Sequence, residues 1–156
     1  MDSLIFDFIS LDYQETLMAA SGAAAEQTLR DAVAANKGEY LLAIDGSIPV
    51  KNGGVYSLTG GRSNVSMLAE IAADAKAVLA IGTCAAYGGI PKAYPNPTGA
   101  VGVEDLVSGK PVVNIPGCPA GAGGAKRRSG AFHQLRPPAG PRRPQASPRL
   151  FRHHDP

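Results

Sequence analysis

Short apolar runs alternate with longer helix-forming segments along the first three quarters of the chain. The apolar runs lie at residues 4–9, 40–44, 77–81 and 111–115 and are rich in Leu, Ile, Val and Ala. Continuous apolar runs of this length are typical of strands that are covered on both faces of a parallel sheet. The pattern therefore predicts four strands.

The segments between these runs predict helices and loops. Residues 15–35 are good helix formers, with Gly22 as a point of division. A second helix is predicted over residues 63–75, capped by Ser63 or Asn64. The remaining stretches are expected to be loops at residues 46–49, 52–61 and 85–102, with a short helical turn at residues 103–107.

This alternation predicts the fold class. Strands separated by helices at this spacing are typical of an α/β protein, here a flavodoxin-like parallel sheet with helices on both faces. The 156 residues suffice for one ordinary core, so we expect one domain, over residues 1–119. In such sheets, function gathers in the loops at the carboxyl ends of the strands.

Charge separates this domain from the rest of the chain. Residues 1–119 hold seven Lys and Arg against twelve Asp and Glu, whereas residues 120–156 hold eight against one. The second part is rich in Arg, Pro, Gly and Ala without apolar periodicity, so we expect a disordered basic tail. Its composition also fits an out-of-frame reading of a GC-rich gene. It has few aromatic residues, which argues against a nucleic-acid partner.

Targeting signals and cysteine frameworks are also not expected. No run of about 18 apolar residues occurs, and the start Met1-Asp2-Ser3 lacks the pattern of an export signal. We therefore expect no transmembrane segment, and the cellular location stays open. Cys84 and Cys118 are the two cysteines, too few for a disulfide framework and spaced unlike a compact zinc motif.

Candidate chemistry lies in three loops that follow successive predicted strands. Glycine beside cysteine lets backbone N–H groups approach a bulky anion, and thiolates are the usual ligands of iron-sulfur clusters. From the residues alone, two inert buried cysteines in tight turns explain the pattern equally well. The candidate residues are Asp45 in the first loop, Gly82, Thr83 and Cys84 in the second, and Gly117 and Cys118 in the third.

Seven sequence blocks occur in order along the predicted domain. They are ISLDYQET at 9–16, GEY at 38–40, DGSIP at 45–49, ADAKA at 73–77, IGTCAAYGG at 81–89, PNPTG at 95–99 and IPGCP at 115–119. Together these blocks resemble the flavodoxin-like domain of the nickel-iron hydrogenase small subunit. The resemblance covers residues 4–119, about three quarters of the chain.

The resemblance implies a cofactor and its ligands. In that family a proximal four-iron, four-sulfur cluster has four cysteine ligands, and Cys84 and Cys118 match the last two, in loops that contain Gly82, Thr83 and Gly117. The first two belong to an N-terminal Cys-x-x-Cys without counterpart here, so the domain is interpreted as incomplete at its N-terminus. Two thiolates alone would hold such a cluster poorly.

Other family features are matched only in part. Asp45 stands where the family usually has glutamate, which implies a carboxylate for proton movement. Tyr13 and Glu15 match a block near the interface with the large subunit. The family's medial and distal clusters belong to a later region, which residues 120–156 do not resemble. The three histidines of that tail, His133, His153 and His154, are not expected to be cluster ligands because no cysteine accompanies them.

The implied function is electron transfer in a hydrogenase, an oxidoreductase acting on hydrogen. The partner would be the large subunit, which carries the nickel-iron site, and this chain alone is expected to be inactive. One alternative is a non-functional truncated remnant of such a subunit. Another is a relative of the cluster-bearing subunit of respiratory complex I, which shares the fold and a Pro-Gly-Cys-Pro loop but has adjacent cysteines that are absent here.

Overall fold

The computed structural model describes residues 10–121, which form an α/β fold. The predicted strand at residues 4–9 and nearly all of the predicted basic tail lie outside the described residues. The elements are α1 (Gly22–Ala35), β1 (Leu41–Asp45), β2 (Ile48–Pro49), a 3-10 turn (Lys51–Gly54), β3 (Leu58–Thr59), β4 (Arg62–Ser63), α2 (Asn64–Ala73), β5 (Ala77–Ile81), α3 (Gly82–Tyr87), α4 (Gly89–Lys92), β6 (Ala100–Val101), a 3-10 turn (Val103–Asp105) and β7 (Val112–Ile115).

A parallel sheet in the order β1-β5-β7 forms the centre of the fold. The central strand β5 is the most buried, with Val78 fully enclosed, whereas β1 and β7 are only partly covered. Burying one such valine stabilises the fold by about 1.5–3 kcal/mol relative to its exposed state. The predicted parallel α/β architecture is confirmed.

The register of this sheet aligns the three strand ends. Asp45 at the end of β1 is opposite Ile81 of β5, and Ile81 is opposite Ile115 of β7. The loops that leave these residues therefore begin at the same edge of the sheet. This alignment positions the candidate site.

The first predicted helix is shorter than expected. It begins at Gly22 rather than at residue 15, because Gly22 has a φ of +56°, a left-handed conformation that an entering helix cannot continue through. Upstream, the Gln14 side chain accepts a hydrogen bond from the Leu17 N–H at 3.0 Å and stabilises a turn instead. The predicted end at Ala35 is confirmed, and Asn36 follows as the cap.

The helix predicted over residues 63–75 corresponds to α2, and its capping residue is one of the two that were predicted. The Ser63 hydroxyl oxygen accepts a hydrogen bond from the Ser66 N–H at 3.3 Å, so Ser63 rather than Asn64 is the cap. Met67, Leu68 and Ala72 are buried on its inner face. This face packs the helix against the sheet and β2.

Three predicted loops contain further structure, since the loop at 52–61 includes β3 and most of the first 3-10 turn. The stretch at 46–49 includes β2, which pairs antiparallel with β6 from within the predicted loop 85–102. These partners are about fifty residues apart in sequence, so no local pattern marks them. The predicted loop at 85–102 also contains α4 and the second half of α3. No described helix is long and apolar enough to cross a membrane.

Candidate functional site

The three predicted site loops meet at Gly82. A methyl group placed on this glycine would lie 3.5 Å from Asp45 Oδ1 and 3.5 Å from the Gly117 carbonyl oxygen. Gly82 has a φ of +89°, and Gly117 has a φ of +138°. Both are therefore conformations that favour glycine. The convergence that the strand order predicts is present at this edge of the sheet.

Two hydrogen bonds join the second and third loops. The Thr83 N–H donates to the Gly117 carbonyl oxygen at 2.9 Å, and the Gly117 N–H donates to Thr83 Oγ1 at 3.0 Å. Each bonded residue immediately precedes a cysteine, Cys84 in one loop and Cys118 in the other. This pair of bonds, the Thr83–Gly117 clamp, fixes the backbone from which both thiols project.

Cys84 lies in the first turns of α3 and is partly buried. Its carbonyl oxygen accepts a hydrogen bond from the Gly88 N–H at 2.8 Å, which ends the helix. The chain then folds back, so that a methyl group on Gly89 would lie 2.5 Å from Cys84 Sγ. Only glycine fits at this position, because any side chain there would collide with the Cys84 thiol.

Gly89 was not predicted as a site residue. The signal in the sequence was the Gly88-Gly89 pair, which marks a turn but does not reveal which side chain the turn approaches. Gly88 and Gly89 have φ values of +93° and +55°, so both need the freedom of glycine.

Cys118 is exposed, in contrast to Cys84. It lies directly after Gly117 in the loop that leaves β7, and its neighbour Pro119 is also exposed. Neither cysteine forms a disulfide. Both thiols are thus available, one at the surface and one in a half-buried turn.

The remaining sequence candidates have different positions. Asp45 is exposed at the end of β1 and faces Gly82. Tyr13 and Glu15 line a separate surface cavity of about 220 Å³, together with Thr59 and Gly60 of the β3–β4 hairpin. Partial burial, with smaller contributions from the negative charges of Glu15 and Glu26, raises the pKa of Tyr13. The tail histidines lie outside the described residues.

The donor set can be compared with the needs of an iron-sulfur cluster. Two thiols on clamped neighbouring loops, with glycines beside them, suit two corners of a four-iron cluster. Within residues 10–121, no three or more His, Cys, Asp or Glu side chains are grouped to hold a metal ion. Within the described residues the site therefore offers two thiol ligands, Cys84 and Cys118.

Comparisons with known proteins agree with the resemblance inferred from sequence. The small subunit of the uptake hydrogenase of Azotobacter vinelandii is 44% identical over 116 residues, covering 74% of this chain and 32% of that protein. The periplasmic [NiFe] hydrogenase small subunit of Solidesulfovibrio fructosivorans is 47% identical over 119 residues, covering 76% and 37%. The chain thus spans about a third of the length of these relatives.

Solved structures show the same likeness. The recombinant [NiFeSe] hydrogenase of Desulfovibrio vulgaris Hildenborough aligns with a TM-score of 0.72 and 41% identity, over 76% of this chain and 45% of that one. The Ni-Fe-Se hydrogenase of Desulfomicrobium baculatum aligns with a TM-score of 0.73 and 32% identity, over 76% of this chain and 47% of that one. Residues 10–121 therefore share both sequence and fold with hydrogenase chains.

A family model also matches the chain, over residues 1–124, and is described as "NADH ubiquinone oxidoreductase, 20 Kd subunit". That description corresponds to the complex I alternative, whereas the relatives above are hydrogenase small subunits. The chain therefore belongs to the family of the 20 Kd subunit of NADH ubiquinone oxidoreductase, and within it resembles the small subunits of nickel-iron hydrogenases.

Proposed function

We propose that this chain acts as part of an electron-transferring hydrogenase subunit and that Cys84 and Cys118 are two of the four ligands of a proximal four-iron, four-sulfur cluster. The observation that carries the proposal is the Thr83–Gly117 clamp, because its two hydrogen bonds bring the backbones before both cysteines together. The sequence relatives, which are small subunits of uptake and [NiFe] hydrogenases, support the same assignment.

The residues of this chain would bind and orient the cluster. When bound, such a cluster supplies one-electron transfer. Gly89 leaves room beside the Cys84 thiol because it lacks a Cβ atom, and Gly82 allows the loops of Asp45 and Gly117 to approach each other. The partner would be a large subunit that carries the nickel-iron site, and the pair would turn over hydrogen. Alone, the chain is expected to be inactive because the bond chemistry belongs to that partner.

Asp45 is the candidate for moving protons near this site. Its carboxylate is exposed and lies beside Gly82, close to the junction of the three loops. Water and the three loops can therefore both reach this carboxylate. We therefore assign Asp45 the role of a proton-carrying side chain at the rim of the cluster site.

Cluster transfer to the full chain tests the ligand assignment. The purified protein is mixed under anaerobic conditions with a synthetic [4Fe–4S] cluster that carries four exchangeable thiolates, followed by desalting and measurement of bound iron and of visible absorption. We expect Cys84→Ser and Cys118→Ser each to lower bound iron at least about tenfold, since even outer-shell changes cost 10–100-fold in metal affinity.

Controls separate ligand loss from misfolding. The far-ultraviolet circular dichroism of each serine variant should match that of the wild type, because serine is close in size to cysteine. Bound iron that stays unchanged in both serine variants would overturn the assignment. Failure of the wild type to retain iron would favour the alternative of a non-functional remnant.

A further inference from the structure

We infer that Cys84 and Cys118 form a reversible disulfide with each other when the cluster-free chain meets a small disulfide such as oxidised glutathione, and that this bond closes the cluster site. The cross-link itself follows from the geometry of the two loops, whereas its effect on cluster loading rests on the ligand assignment proposed above. Both cysteines belong to one chain, so the site can change between a reduced, open form and an oxidised, closed form.

The register of the sheet sets the two cysteines opposite each other. Strands β5 and β7 are parallel, and Ile81 is opposite Ile115 at their carboxyl ends. Cys84 and Cys118 each follow three residues after these partners. Neighbouring parallel strands lie about 4.8 Å apart, and the Cα atoms of a disulfide are about 4.4–6.8 Å apart. Residues that keep this register past the strand ends are therefore at a spacing that a disulfide can span.

The Thr83–Gly117 clamp holds the two loops together directly before the cysteines. The Thr83 N–H donates to the Gly117 carbonyl oxygen at 2.9 Å, and the Gly117 N–H donates to Thr83 Oγ1 at 3.0 Å. Bonds in both directions oppose the separation of the loops where the strands end. A rotation about each cysteine Cα–Cβ bond, among three staggered positions, then brings the two sulfurs towards or away from each other.

The two thiols differ in exposure, which sets the order of the reaction. Both are free in this structure, Cys118 at the surface and Cys84 half-buried. Cys118 is therefore the thiol that a small disulfide in solution reaches first. Redox-sensitive cysteines are accessible and often lie next to a second cysteine that resolves the first adduct. Cys84 has that second position.

The exchange proceeds in two steps and balances. The Cys118 sulfur attacks oxidised glutathione, whose S–S bond breaks, and the first glutathione leaves with the proton of the Cys118 thiol. The Cys84 sulfur then attacks the Cys118 sulfur, and the second glutathione leaves with the proton of the Cys84 thiol. The two protein thiols lose two electrons, and oxidised glutathione gains them. An excess of reduced glutathione reverses both steps.

A disulfide between these residues removes both thiol ligands at once. Iron-sulfur clusters are held by thiolates, and a sulfur atom in a disulfide is not a thiolate. Cys84 and Cys118 are the cysteines of the sequence, so no other thiol of this chain can replace them. The oxidised chain should therefore accept no cluster until a reductant restores the two thiols.

Equilibration with glutathione tests the cross-link. The full chain, reduced and cluster-free, is placed under anaerobic conditions in mixtures of oxidised and reduced glutathione, and free thiols are then blocked by alkylation. Mass spectrometry of the intact and the digested chain should show a monomer without bound glutathione in which Cys84 and Cys118 are linked. Cys84→Ser should instead retain one glutathione on Cys118, because the resolving thiol is missing. A wild-type chain that retains glutathione, or that is linked to a second chain, overturns the inference.

The contribution of the clamp is measured in the same titration. Thr83→Val should lower the equilibrium constant for closing the disulfide by about two- to tenfold, the range that one hydrogen bond can contribute. Thr83→Ser is the matched control and should stay close to the wild type, because it keeps the acceptor oxygen. Equal constants in the two variants would overturn the role of the clamp in aligning the thiols.

Cluster transfer then separates the inference from the ligand assignment. Reduced, oxidised and re-reduced chains are mixed with the synthetic cluster, and their disulfide content is measured again afterwards. We expect iron in the oxidised chain to fall to the level of a variant that carries both Cys84→Ser and Cys118→Ser, and to return after reduction. An oxidised chain that keeps its disulfide and still binds as much iron overturns the ligand assignment alone. A reduced chain that loads but never forms the disulfide overturns the inference alone.

Discussion

The Thr83–Gly117 clamp makes a prediction that can be measured without any metal. Thr83→Val keeps the shape of the side chain but removes Oγ1, the acceptor for the Gly117 N–H at 3.0 Å. The second bond, from the Thr83 N–H to the Gly117 carbonyl oxygen, does not involve the side chain and remains. The substitution therefore removes one hydrogen bond between the two loops.

The expected cost follows from the partial burial of this bond. A hydrogen bond contributes about 0.5–1.5 kcal/mol net, and a fully buried donor left unpaired costs about 1–3 kcal/mol. Thr83 and Gly117 are half-buried, so water can partly replace the lost acceptor. We therefore expect the free energy of unfolding to fall by about 1 kcal/mol. For a domain of this size that corresponds to roughly 4 °C in Tm.

Urea denaturation followed by circular dichroism measures this difference, and Thr83→Ser is the matched control. Serine keeps the acceptor oxygen and should stay within about 0.5 kcal/mol of the wild type. The loosened third loop should also speed alkylation of Cys118 in the valine variant. If the valine and serine variants unfold at the same urea concentration and react at the same rate, the clamp does not hold the loops.

Two further predictions concern the segments that support α3. Gly102→Ala should destabilise the fold by about 1–3 kcal/mol in urea titrations, because the new methyl would lie 2.8 Å from the Ala86 carbonyl oxygen. Gly121→Ala is the control and should show no such loss, because open space surrounds Gly121. Hydrogen bonds from Lys92 and the Gly102 N–H lower the pKa of Asp105 below its ordinary value of 3.8. The Asp105 carboxylate therefore stabilises the folded state above that pH, and this stabilisation is lost as the pH falls through the lower folded-state pKa. The stability difference between the wild type and Asp105→Asn should therefore be at most about 1 kcal/mol near neutral pH and shrink in acid, and a pH-independent difference would contradict this.

The strands of the central sheet could be predicted because their signal is local. The run at residues 77–81 is continuous, apolar and bounded by a helix and a glycine, and β5 has these limits. Parallel strands connected by helices must end at one edge of the sheet, so the loops at Asp45, Gly82 and Gly117 could be expected to meet. The topology of the sheet alone therefore predicts that these three loops lie together.

The parts that could not be predicted depend on contacts between distant residues. The β2–β6 pair joins residues 48–49 to residues 100–101, and neither stretch has a strand pattern. Gly22 was predicted as a point of division, but that α1 begins there and not at residue 15 depends on the backbone conformation of Gly22. The Thr83 hydroxyl reaches Gly117 only because Ile81 and Ile115 are in register, which no sequence pattern reveals.

The long sequence separation within the site also has a consequence for its biosynthesis. Thr83 and Gly117 are 34 residues apart, and the bond between them requires β7 to have joined β5. Contacts of such separation form after local helices and turns, because closing the intervening loop costs entropy. Cys84 is therefore synthesised before the backbone that orients Cys118, and the two loops join only when β7 pairs with β5. Under the proposed ligand assignment, delivery of iron and sulfide should follow completion of the sheet, and a nascent chain halted before residue 112 should be unable to accept them.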